Sequence, residues 1–133
     1  MKIAIDFDGV IHGYSKGWHD GEVYDPPVPG AAEALKKLKE QGHYIYIFST
    51  RTNKIFRKPT DGKDEKYQEK QIKEWMTRYD IPYDKIWTFG KPMADLFIDD
   101  RAINFSGKWS ETMEAVENFI PWLKTKEEED KDK

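Results

Sequence analysis

The sequence predicts an α/β protein: a three-layer, Rossmann-like parallel sheet of about five strands with no large cap domain. Three observations carry that expectation. Short apolar runs rich in Ile, Phe and Tyr alternate with stripes of helical period. Three of those runs end in acids or hydroxyls, and 133 residues make one domain of ordinary size. Strands that alternate with helices need right-handed crossovers, which set the strands parallel and lay helices on the sheet.

Ile3, Ala4, Ile5 and Phe7 form the first run, closed by acids and Gly9, as expected of a strand buried on both faces. Asp6 and Asp8 then sit at its carboxyl end. Residues 9–28, rich in Gly, Pro and aromatics, read as a flap. Pro29-Gly30 leads into Ala31, Ala34, Leu35 and Leu38, a stripe at i, i+3, i+4 and i+7 that Gly42 should end. Tyr44-Ile45-Tyr46-Ile47-Phe48 is a second strand that stops at Ser49-Thr50. Residues 51–64 look like loop. Ile72, Trp75, Met76 and Tyr79 make a second helical stripe ended by Ile81-Pro82. Ile86-Trp87 is a short third strand, Leu96-Phe97-Ile98 a fourth ending in Asp99-Asp100, and Ile103-Asn104-Phe105 the candidate fifth. Ser110 is placed to cap a last helix bearing Met113, Val116 and Ile120. The domain is expected over 1–123. The tail 124–133 has four basic and five acidic residues and little to bury, so fraying or disorder is expected there.

Composition narrows the function classes. Apolar residues make up 38% and charged residues 35%, yet five Trp, seven Tyr and seven Phe supply core material. The absence of cysteine excludes disulfides, thiolate metal sites and cysteine nucleophiles. With 22 basic against 25 acidic residues the net charge is -3, so no global basic field invites a nucleic acid polymer. Met1-Lys2-Ile3-Ala4-Ile5-Asp6 reaches an acid before a signal segment can form, and no apolar run approaches the roughly 18 residues of a membrane span. A cytoplasmic protein without a membrane partner is expected.

In an open parallel sheet the functional crevice lies beyond the carboxyl ends of the strands, where strand order switches. Asp6 and Asp8, Ser49 and Thr50, and Asp99 and Asp100 all fall at such ends, and Lys91 precedes the fourth strand. Each alone has an ordinary explanation, since acids end strands, Ser-Thr caps turns and a lone Lys is usually solvated. Ordinary explanations do not predict them all at one edge, with carboxylates that repel unless a cation lies between them. Oxygen ligands without His or Cys suit a hard ion, and Mg²⁺ held by a few carboxylates and a substrate phosphate is the expected cofactor. The metal and Lys91 would cancel charge so that an anion can attack phosphorus.

Asp6-Phe7-Asp8-Gly9-Val10-Ile11 closely resembles the opening signature of the haloacid dehalogenase superfamily of phosphohydrolases. Ser49 or Thr50, Lys91 in Gly90-Lys91-Pro92, and Asp99-Asp100 match the other three motifs in order, so the resemblance spans roughly residues 1–120. It implies that Asp6 is the nucleophile forming an aspartyl-phosphate and Asp8 the general acid and base. It also implies Mg²⁺ on the Asp6 carboxylate, the Asp8 carbonyl and Asp99, with Asp100 acting through water. Ser49, preferred over Thr50, and the amides of Phe7, Asp8 and Gly9 would bind phosphate, while Lys91 neutralises charge. Relatives that cleave carbon–halogen bonds lack an acid at the position of Asp8, and ion-pumping ATPases carry Thr there. The resemblance thus favours phosphomonoesters. Segment 94–101 is also similar to the 5'(3')-deoxyribonucleotidases of the same superfamily, which keeps nucleotides beside sugar phosphates as substrates.

Most relatives guard the site with a cap for which this chain has little room. An uncovered site admits large phosphorylated substrates or is closed by a second subunit of a homo-oligomer. His12, Tyr14, Trp18, His19 and Tyr24 are candidate rim residues for the leaving group, against loop packing as the alternative. Residues 51–73 hold eight basic and four acidic residues. Arg51 is the candidate for steering phosphate, while Lys54, Lys58, Lys63, Lys66 and Lys70 are expected on solvated faces and His43 is expected to be structural. Two rival classes remain. A phosphoryl-accepting receiver domain would need an acid after the third strand, where Thr88 stands, and a silent phospho-ligand module would not need all four motifs.

Overall fold

The computed structural model describes residues 1–53 and 62–123. The expected tail, 124–133, and Lys54 and Lys58 lie outside the described residues. Strands β1 (Lys2–Asp6), β2 (Tyr44–Phe48), β3 (Lys85–Trp87) and β4 (Leu96–Ile98) form one sheet in the order β3-β2-β1-β4, with every neighbouring pair parallel. Helices α1 (Ala31–Glu40), α2 (Glu65–Arg78) and α3 (Trp109–Glu117) and a 3-10 turn at Thr50–Thr52 complete it.

Strand pleating sends alternate residues to one face. Ile3, Ile5, Ile45, Ile47 and Ile86 all fall on the same face and are buried there with Leu35 of α1 and Ile72, Trp75 and Met76 of α2. Each such side chain contributes about 1.5–3 kcal/mol through burial. Helix α1 stops as its glycine dictates: Gly42, at φ 86°, lets its own amide reach the Lys39 carbonyl and the His43 amide reach that of Leu38. Helix α2 ends the same way, but the left-handed residue is Asp80 at φ 54°, so the stop comes one residue before the expected Ile81-Pro82. Ile81 then donates to the Met76 carbonyl at 2.9 Å and is buried against the core.

Two expectations fail near the carboxyl terminus. Ile103-Asn104-Phe105 is not a strand, and the described sheet has four. Helix α3 begins at Trp109 after Lys108 and has no side-chain cap, so Ser110 lies inside its first turn. Its stripe of Met113 and Val116, with Ile120 beyond, stays exposed. Helical period marks one face of a helix but does not supply a surface to cover it. Among the described residues no large cap domain is present, and no helix is long and apolar enough to cross a membrane.

The start of α2 is held by Asp64, whose carboxylate accepts from the Tyr67 amide at 2.9 Å. Asp64→Ala should therefore cost about 1 kcal/mol, read as a lower urea midpoint with an unchanged slope.

Candidate active site

Register positions the acids. Asp6 pairs with Phe48 and Ile5 with Ile98, so Ser49 and Asp99 leave their strands at the level where the chain passes Asp6. Strand order also switches here, between β1 and β4. One oxygen each from Asp6, Asp99 and Asp100 lie within 4.8 Å of one another. Burial first, then a hydrogen bond with Asp100, then repulsion from Asp99, Asp100 and Asp8 push the Asp6 carboxyl up to about 9. Asp100 is raised too, chiefly by burial.

These observations test whether Mg²⁺ suits the residues. The donors are all hard oxygens, and Asp6 and Asp100, both raised chiefly by burial, ionise more readily beside a positive charge. The turn after β1 adds another donor. The Phe7 carbonyl accepts from Ile11 and His12 at 3.0 and 2.9 Å, and the Gly9 amide donates to the His12 carbonyl at 2.9 Å. Among the described residues the amide and carbonyl of Asp8, at the apex, have no hydrogen-bond partner. Gly9 itself sits at φ +83°, and a Cβ there would come within 2.5 Å of an Asp100 carboxylate oxygen. The residues fit the ion.

Two of the three amides expected at the phosphate are already committed. The Phe7 amide donates to the Asp6 carboxylate at 2.9 Å and the Phe48 carbonyl at 3.2 Å, and the Gly9 amide is used as above. A tight turn satisfies its own donors first. That leaves the Asp8 amide. Ser49 stands at the carboxyl end of β2, its Oγ accepting from the Arg51 amide at 3.1 Å so that its hydroxyl proton can still be donated, while Thr50 is exposed. A cavity of about 140 Å³ opens beside them, bordered by Thr52, Asn53 and Thr88.

Arg51, expected to steer phosphate, is turned inward. It is fully buried, and its guanidinium donates to Asp8 at 2.7 Å, to Gln68 and the Gly21 carbonyl at 3.0 and 3.2 Å, and to the Glu22 carbonyl at 3.3 Å. A buried cation must find a counter-charge and acceptors, and the Asp8 carboxylate with the flap carbonyls provides them. Trp18 and Tyr14 lie over it, with ring centres 4.9 and 5.7 Å away. The basic count of residues 51–73 gave no hint that its first member points inward.

Lys91 is likewise apart from the carboxylates. It is exposed, with its ammonium 4.9 Å from the Phe97 ring centre, in a groove bordered by Met1, Lys2, Tyr44 and Asp95 toward the amino ends of the strands. Among the described residues it forms no ion pair.

The flap is sewn to α2. Gln68 and Gln71 donate to the Gly21 carbonyl at 2.8 and 3.3 Å, Tyr67 donates to Glu22 at 2.8 Å, and the Trp75 indole donates to the Asp25 carbonyl at 2.9 Å. His12, a candidate for the rim, is instead fully buried, stacked on Phe7 and 2.9 Å from Asp8. Tyr24 donates to the Gly17 carbonyl at 2.6 Å, and burial pushes its phenol up to about 12. His19 is exposed. His43 lies at the other edge, its Nδ1 3.0 Å from the Met1 amine. Sequence reasoning missed Trp122, whose indole donates to the Gly9 carbonyl at 2.9 Å in the turn after β1.

Comparison with known proteins adds little. No family model and no curated protein matches the chain. A solved structure, the D,D-heptose 1,7-bisphosphate phosphatase from Burkholderia thailandensis, is similar at 19% identity with a TM-score of 0.45. The overlap covers 74% of this chain and 65% of that one.

Two outcomes are expected. Metal-free Asp6→Asn should melt above the metal-free wild type, because it removes a buried, repelled carboxylate. MgCl₂ at about 100 times its Kd should then stabilise only the wild type, by about 2.7 kcal/mol, in a thermal melt. Gly9→Ala should weaken Mg²⁺ binding at least tenfold in calorimetric titration, since the new methyl and the Asp100 carboxylate compete for one space.

Proposed function

We propose that the chain is a Mg²⁺-dependent phosphomonoester hydrolase of the haloacid dehalogenase type, acting through an aspartyl-phosphate on a phosphorylated metabolite, a sugar phosphate or a nucleotide. The observation that carries this reading is the ion-sized gap shared by Asp6, Asp99 and Asp100 at the carboxyl edge, with Asp8 two residues past Asp6. Mg²⁺ would be held by the Asp6 and Asp99 carboxylates and the Asp8 carbonyl, with Asp100 behind it. Bound there, it supplies the positive charge that lets a carboxylate approach a phosphate dianion.

In this reading an Asp6 carboxylate oxygen attacks phosphorus, and the bond from phosphorus to the leaving oxygen breaks. Asp8 gives that oxygen its proton, so an alcohol departs. A water then surrenders a proton to Asp8 and attacks the acyl-phosphate, which releases inorganic phosphate and restores both carboxyl groups. Ser49 and the Asp8 amide steady the phosphoryl oxygens, with Thr50 beside them. Lys91 can contribute charge only by leaving the Phe97 ring, a small cost for an exposed side chain. Arg51 acts beneath the site, through Asp8, rather than on the phosphate.

With p-nitrophenyl phosphate and MgCl₂, the wild type should turn over and EDTA should stop it. Asp8→Asn should lose about 10²–10⁴ in kcat on an alkyl phosphate, and Asp6→Asn all measurable turnover. Activity that survives Asp6→Asn overturns the nucleophile and with it this reading.

A further inference from the structure

The Asp8 carboxylate is gripped on both oxygens from below. Oδ2 accepts from Arg51 Nε at 2.7 Å, and Oδ1 lies 2.9 Å from His12 Nδ1. Both partners are fully buried, whereas the Asp8 side chain keeps 14% of its surface. His12 is fixed at its far end as well, because its Nε2 lies 3.0 Å from the Asp25 amide. A backbone N–H can only donate, so Nε2 must be the acceptor and carries no proton. The ring proton therefore resides on Nδ1 and is donated to Asp8. The ring plane is set by stacking on Phe7, 5.4 Å between centroids, and by edge contacts with Tyr24 and Trp75 at 5.2 and 5.7 Å.

Resting on the hydrolase reading above, we propose that His12 is a positioning residue for the leaving-group proton: its Nδ1–H, with Arg51, holds the Asp8 carboxylate in one orientation, and the Asp25 amide of the flap holds His12. His12 touches neither substrate nor metal. A carboxyl group that must reach the leaving oxygen loses efficiency if it can rotate, and a fraction of an ångström is enough to matter. The two buried donors remove that freedom while one face of Asp8 stays open. As the P–O bond breaks, the proton passes from Asp8 to the leaving oxygen. The carboxylate left behind already has both donors in place.

The test uses leaving groups of different basicity. Glycerol 2-phosphate leaves as an alkoxide and needs the proton, whereas p-nitrophenyl phosphate leaves as a weakly basic phenolate and scarcely does. His12→Phe keeps an aromatic ring in the stack but removes Nδ1–H, and His12→Asn restores a donor near the Nδ1 position. His12→Phe should lower kcat/KM, which reports the step that releases the alcohol and not the hydrolysis common to both substrates, about 10- to 100-fold on glycerol 2-phosphate and less than about threefold on p-nitrophenyl phosphate, and His12→Asn should recover part of the loss. Equal losses on the two substrates, or none, overturn the positioning role while leaving the hydrolase reading intact. A wild type that turns over neither substrate with Mg²⁺ overturns both. If His12→Phe fails to fold, His12→Met, which also lacks the donor, takes its place: unequal loss on the two substrates supports the role, and equal loss or none overturns it.

Discussion

A buried guanidinium organises this molecule. Arg51 follows directly from the end of β2, so its backbone is tied to the sheet, yet its side chain runs inward with no access to water. Such a charge is tolerated only when its donors are met and an anion stands close. Asp8 supplies the anion, and the carbonyls of Gly21 and Glu22 supply acceptors. The need to satisfy one cation thus joins the strand that bears Ser49, the turn that bears Asp8 and the loop between β1 and α1. Removing Asp8 would take away the counter-charge, and removing either carbonyl an acceptor, so the three segments support one another.

The carboxylates on the other side of Asp6 pose the opposite problem. Asp6, Asp99 and Asp100 are brought together by parallel register, with acids crowded at one edge and Asp6 the most desolvated of them. Two cations that could have balanced them lie elsewhere, Arg51 turned away beneath Asp8 and Lys91 over Phe97. Asp8, by contrast, is anchored by the fold on both carboxylate oxygens.

Much of this was legible in the chain, and the reasons are physical. Strands β1 and β2 declare themselves because burial of their Ile residues demands continuous apolar runs, β4 shows the same run although Leu96 and Ile98 stay exposed, and the acids at the strand ends fall at one edge because every pairing is parallel. Gly42 ended α1 as written. What sequence could not convey was the direction of polar side chains. Arg51 read as a cation steering phosphate and His12 as a rim residue, since cations and imidazoles are usually wet, but a flap stitched to α2 enclosed them. The Phe7 amide was taken by the Phe48 carbonyl of β2 and the Asp6 carboxylate, and the Gly9 amide by its own turn. Helix α3 failed differently: its period was right, but no surface met it.

The flap's attachments have a consequence for the order of assembly. Its bonds to Tyr67, Gln68, Gln71 and Trp75 bridge sequence separations of 45 to 50 residues. Loop closure over such spans gains contacts only after both ends are in place, which delays it relative to local helix formation. The bonds cannot form until α2 stands beside the flap, and they reach no further along the chain than Trp75. In a nascent chain the turn that bears Asp8 can therefore be secured before β3 and β4 have been made.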